Sequence, residues 1–171
     1  MDRHIGTSLD LHAPAAIPEL DVFDPAAFDT LSIWHASAAL PQPPAILVVD
    51  DEHHVGQIVR RLLHEMLPQH EIIAVSHPTA ALDHLRERAV VLLITDFNMP
   101  DLNGVQLTAT VKGHSPRTQV LLMTAYSTAI LRRLARQQGV DYYLPKPFRL
   151  TELEDLVGAA LTAYEAHPAP L

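Results

Sequence analysis

The rhythm of apolar and polar positions changes at Ala45. From there on, short unbroken apolar runs alternate with longer stretches in which apolar residues recur every three or four positions. The runs cover 45–50, 71–75, 90–95, 119–123 and 140–144, and are rich in Val, Ile, Leu, Met and Tyr. That composition and length predict strands buried on both faces. The intervening stretches predict helices. The first spans roughly 53–67, with Val55, Ile58, Val59, Leu62, Leu63 and Met66 inward, and ends before Pro68. The second opens at Pro78 and runs to about Arg88, with Ala81, Leu82 and Leu85 inward. The third covers about Val105 to Lys112, and the fourth about 127–138, with Gly139 as its C-terminal stop. The last covers about 151–164, turning Leu153, Leu156, Val157, Ala160 and Leu161 inward. Five strands alternating with five helices predict an α/β fold whose parallel sheet is covered on both faces. Right-handed crossovers follow from strand twist.

The first 44 residues lack this alternation. They hold six of the fourteen prolines, six acids and one basic residue, Arg3, and so carry −5 of the net charge of −8. Most of this segment reads as an extended acidic arm. Within it, Asp24-Pro25 is a fair helix start. A short helix over 25–40 would place Phe28, Leu31 and Trp34 near one face, for contact with its own domain, a partner or a second copy of the chain. PQPP at 41–44 reads as a stiff linker and a domain boundary, and residues 166–171 as a tail.

Charge and composition narrow the function classes. A net charge of −8 argues against nonspecific nucleic-acid binding. Arg132, Arg133 and Arg136 cluster, but on a helix they read as a solvated face. With no cysteine there are no disulfides and no thiolate chemistry, in keeping with a cytoplasmic protein. No apolar run approaches a membrane span, and the N-terminus shows no secretory pattern.

Polar residues at the ends of the apolar runs carry the chemistry. Asp50 and Asp51 close the first, Asp96 the third and Thr124 the fourth, and Lys146 follows the fifth. In open α/β sheets ligands bind beyond the carboxyl ends of the strands. Three carboxylates, a hydroxyl and an ammonium there suggest a divalent cation and a phosphoryl group. Crowded carboxylates raise one another's pKa unless a cation intervenes, and oxygen-only ligands favour Mg²⁺. His53 and His54, beside the acids, read as helix-start positions rather than metal ligands.

The segments ILVVDDE, ITDFNMPDLNG, LLMTAYS and YYLPKPF, in this order, resemble the blocks of the response-regulator receiver domain of two-component signalling. Asp51 and Asp96 lie 45 residues apart, Thr124 follows 28 later and Lys146 a further 22. The resemblance covers a domain at 45–165. It implies a flavodoxin-like, doubly wound (βα)5 three-layer sandwich with strand order 2-1-3-4-5. It further implies that Asp96 is the phosphoacceptor, taking a phosphoryl group from a sensor histidine kinase or a histidine phosphotransfer protein. Asp51, Asp50 and the backbone carbonyl of Asn98 would bind Mg²⁺ (or Mn²⁺). Lys146 and Thr124 would contact the phosphoryl oxygens, and Ala125 would leave room beside them. Tyr143 matches the switch aromatic, Asn98 and Tyr126 flank the route of attacking water, and the Lys146–Pro147 peptide bond is expected to be cis.

The output implied is a protein-binding face on the fourth helix, fifth strand and fifth helix. The short stretch after Lys146 leads to the expectation of a single-domain regulator that binds a downstream protein, not nucleic acid or membrane, with a homodimer as a further option. Two other functions compete. A phosphate-independent scaffold or dimerisation module would use the arm. A haloacid-dehalogenase-type phosphatase would need its nucleophile on the first strand in a D-x-D pattern, whereas Asp96-Phe97-Asn98 lacks the second acid.

Overall fold

The computed structural model describes residues 44–126 and 128–167. The predicted helix at 25–40 and the tail beyond His167 lie outside the described residues. Ten elements alternate: β1 (Ala45–Val49), α1 (His53–Met66), β2 (Ile72–Val75), α2 (Pro78–Glu87), β3 (Val90–Asp96), α3 (Gly104–His114), β4 (Gln119–Thr124), α4 (Ala129–Gln137), β5 (Tyr142–Pro145) and α5 (Leu150–Ala166). The strands form one parallel sheet in the order β2-β1-β3-β4-β5. Both the fold class and the strand order agree with the sequence reading.

Side chains alternate across a strand, and here the alternation sorts the core into two clusters. Leu47, Val49, Leu93, Val120 and Leu122 face one side, against Ala81, Leu82 and Leu85 of α2, Val105, Leu107 and Val111 of α3, and Leu131 and Ala135 of α4. Ile46, Val48, Leu92, Ile94, Leu121, Met123 and Leu144 face the other, against Val59 and Leu63 of α1 and Leu153, Val157 and Ala160 of α5. Every residue of β1 and β3 is buried, as expected of central strands with helices on both faces.

One inward assignment fails. Ile58 is 59% exposed, while Val59 and Leu63 are buried and Val55, Leu62 and Met66 half-buried. At about 100° per residue, Ile58 stands a full step off the direction shared by Val59, Leu63 and Met66. The sheet meets only the narrower stripe.

Helix ends follow local chemistry. Asn103 caps α3: its side chain accepts from the amides of Val105 and Gln106, while the Gln106 side chain accepts from the Asn103 amide. Thr128 caps α4 by accepting from the Leu131 amide. Gly139 follows α4 with φ +95°, a left-handed conformation that glycine adopts without a Cβ penalty.

Candidate functional site

Parallel strands all point the same way, so β1, β3, β4 and β5 deliver their terminal residues to one edge of the sheet. Asp50 follows β1, Asp96 ends β3, Thr124 ends β4, and Lys146 follows β5. Three of these meet. The Lys146 ammonium lies 2.5 Å from Asp96 Oδ1 and 3.1 Å from Asp50 Oδ2. Asp50 and Asp96 are both buried. The second oxygen of each carboxylate takes a backbone donor: Asp50 Oδ1 accepts from the Glu52 amide at 3.0 Å, and Asp96 Oδ2 from the Asn98 amide at 2.6 Å.

Burial pushes the Asp50 carboxyl above its usual value. Lys146 pulls against this, and the neighbouring Asp96 charge adds to it. Burial alone would lower the Lys146 pKa, but the hydrogen bond and charge of Asp96, and then those of Asp50, outweigh it and the pKa rises. The ammonium therefore stays charged across the neutral range and holds two carboxylates together.

Thr124 is buried beside this triad, yet its hydroxyl is turned to the loop after β4. It accepts from the Tyr126 amide at 2.9 Å. The half-buried Tyr143 donates its hydroxyl to the Tyr126 carbonyl, and the Arg132 guanidinium lies 5.7 Å from its ring centre. Burial raises the Tyr143 pKa, so the phenol is a donor at neutral pH. Tyr126 is exposed and meets the Phe97 ring edge-on at 6.0 Å. Ala125, Asn98 and Asp51 are exposed around the mouth of the site. The Lys146–Pro147 peptide bond is cis.

The pattern of the response regulator receiver domain matches residues 46–158. The chain belongs to this family. Among curated relatives, the receiver is 38% identical over 112 residues to the response regulator protein FleR of Pseudomonas aeruginosa; the match covers 66% of this chain and 23% of FleR. It is 32% identical over 127 residues to the DNA-binding transcriptional regulator NtrC of Proteus hauseri, covering 73% of this chain and 26% of NtrC. The chain thus spans about a quarter of the length of these relatives. Among solved structures, the signal receiver domain of an HD domain-containing protein from Pseudomonas fluorescens superimposes with a TM-score of 0.67 at 29% identity, over 76% of this chain and 95% of that one.

Receiver domains typically use a divalent metal at the phosphorylation site. The donors here suit one chemically. Two buried carboxylates face a single ammonium, leaving surplus negative charge, and every candidate ligand is a hard oxygen. Among the described residues, no group of three or more His, Asp or Glu side chains is gathered as a preformed metal cluster. His53 instead lies 3.4 Å from the Ser76 hydroxyl.

Two contacts were invisible in the sequence reading, the Tyr126 carbonyl as the partner of Tyr143 and the Glu52 amide as the partner of Asp50. Both run through backbone atoms, which residue identity does not encode. The stacking of Arg132 on Tyr143 had a trace in the chain, since the two residues lie on adjacent elements. No spacing rule joins them.

Proposed function

We propose that this receiver is a Mg²⁺-dependent (or Mn²⁺-dependent) phosphoacceptor that takes a phosphoryl group onto Asp96 from a histidine kinase or histidine phosphotransfer protein. The observation that carries this reading is the bridge of Lys146 between Asp96 and Asp50 at a buried strand edge. A carboxylate attacks phosphorus only where the charge building up around it is neutralised. An Asp96 oxygen forms the new bond to phosphorus as the bond to the donor imidazole breaks, and the departing imidazole keeps that electron pair. Lys146, already at Asp96, stays to contact a phosphoryl oxygen. Asp50, Asp51 and the Asn98 backbone carbonyl would hold the cation, which when bound offsets charge on the phosphoryl oxygens.

Thr124 would exchange its Tyr126 contact for a phosphoryl oxygen, beside the small Ala125. That exchange would loosen the loop on which Tyr143 is hydrogen bonded, and so couple Asp96 to the face formed by α4, β5 and α5. Asn98 and Tyr126, at the mouth, would tune how fast water removes the phosphate. A downstream protein is the partner assigned to that face, and the chain acts as a signalling module rather than a turnover enzyme.

The test is transfer from a radiolabelled phosphohistidine protein. Label should move to the wild-type chain with Mg²⁺ present and stop when the cation is chelated. Partner binding that is indifferent to both phosphodonor and Asp96→Ala would favour the scaffold reading instead.

A further inference from the structure

At the edge of the sheet opposite Asp96, a groove of about 220 Å³ opens between the α1–β2 loop, the start of β3 and the last turns of α5. It is lined by Pro44, Gln69, His70, Val91, Leu161 and Tyr164, with Glu165 also at its lining. Leu161 and Tyr164 are half-buried and continue the core cluster of that face outward. Arg117 fixes the Tyr164 wall: its guanidinium lies 4.4 Å from the ring centre and donates to the Tyr164 carbonyl at 3.3 Å. His70 Nδ1 is buried there and finds no hydrogen-bond partner among the described residues. Buried polar atoms are seldom left unpaired.

The chain itself enters at this groove, because Pro44 both lines it and leads into β1. Just upstream, Phe28, Leu31 and Trp34 recur at a three-residue interval. On a helix this places them along one face. Trp34 lies ten positions before Pro44, a reach of up to roughly 35 Å if extended, so the segment can fold back on the groove.

We propose that residues 25–40 dock in this groove through Phe28, Leu31 and Trp34, with the Trp34 indole N–H available to His70 Nδ1. The contact is apolar in character, since Glu165 lines the same groove and the arm is itself acidic. It lies at the N-terminal ends of the strands, away from Lys146 and Asp96, so the docked arm leaves the acidic edge open.

Trp34 is the only tryptophan in the chain and reports directly. In the full-length protein its emission should be blue-shifted relative to the urea-unfolded chain, and its acrylamide quenching severalfold weaker. Leu161→Glu should return both to unfolded-like values while circular dichroism still shows a cooperative melt. If that variant does not fold, Phe28→Ser with Leu31→Ser gives the same test without touching the receiver. It should expose Trp34 and speed hydrogen exchange at 69–70 and 161–165. Unfolded-like Trp34 emission in the wild type overturns the proposal. So does a blue shift that survives both variants, or one that appears only as dimer forms on raising protein concentration, which would place a second copy's arm in the groove.

Discussion

Replacing Lys146 with methionine keeps most of the side-chain volume and removes the cation that bridges two buried carboxylates. At 2.5 and 3.1 Å, each ion pair is worth about 5–7 kcal/mol of gross attraction at an effective dielectric of 20. Desolvation of the charges offsets most of this. Removing one partner of a buried pair typically costs about 3–5 kcal/mol. The Lys146 side chain is 22% exposed, so solvent screens part of that cost. A loss of about 2–3 kcal/mol at neutral pH without Mg²⁺ is expected, read from urea denaturation. The cost should depend on pH. Asp50 has a folded pKa above its ordinary 3.8, so its ionisation opposes folding. Stability from this group is fully present below 3.8 and is lost as pH rises through the folded value. Without Lys146 the folded value should rise further. The gap between variant and wild type should therefore narrow as pH falls from neutral towards 4. Adding Asp96→Asn to Lys146→Met should recover part of the loss by removing the like charge. A loss below about 0.5 kcal/mol, the range of ordinary surface substitutions, or a loss that does not narrow on acidification, would refute this account of the site.

Other consequences are open to equally simple tests. Gly104→Ala should destabilise the receiver by about 3 kcal/mol or more in the same denaturation assay, because a Cβ there would overlap the Asp96 carbonyl oxygen and stand 2.8 Å from Leu122 Cδ1. Asn103→Ala should cost about 1 kcal/mol through loss of the α3 cap, and Asn103→Asp should restore most of it. Tyr143→Phe should leave Asp96 phosphorylation by a small phosphodonor intact but weaken coupling to the α4–β5–α5 face, seen as smaller phosphorylation-induced amide shifts in α4.

Much of this was legible in the chain because the two periodicities differ so clearly. Runs such as VVLLIT could only be central strands, and the stripe through Leu153, Val157 and Ala160 could only face a sheet. The acidic edge was legible too, since parallel strands carry Asp50, Asp96, Thr124 and Lys146 to the same side once the sheet exists. Ile58 marks the limit of periodicity, which finds the apolar face of a helix but not how much of it the sheet covers. The Tyr126 carbonyl marks a different limit. Its bond to Tyr143 depends on the path of the loop between β4 and α4, and any residue at that position supplies the same carbonyl. The side chain of Asn103 caps a helix that begins one position earlier than the apolar pattern suggested.

The most direct test of the central claim is intact-mass measurement after incubation with acetyl phosphate and Mg²⁺. The wild-type chain should gain the mass of one phosphoryl group, lose it on treatment with hydroxylamine, and show no gain after chelation or in Asp96→Asn. An equal, hydroxylamine-labile gain in Asp96→Asn, or no gain in the wild type with any phosphodonor, would contradict it.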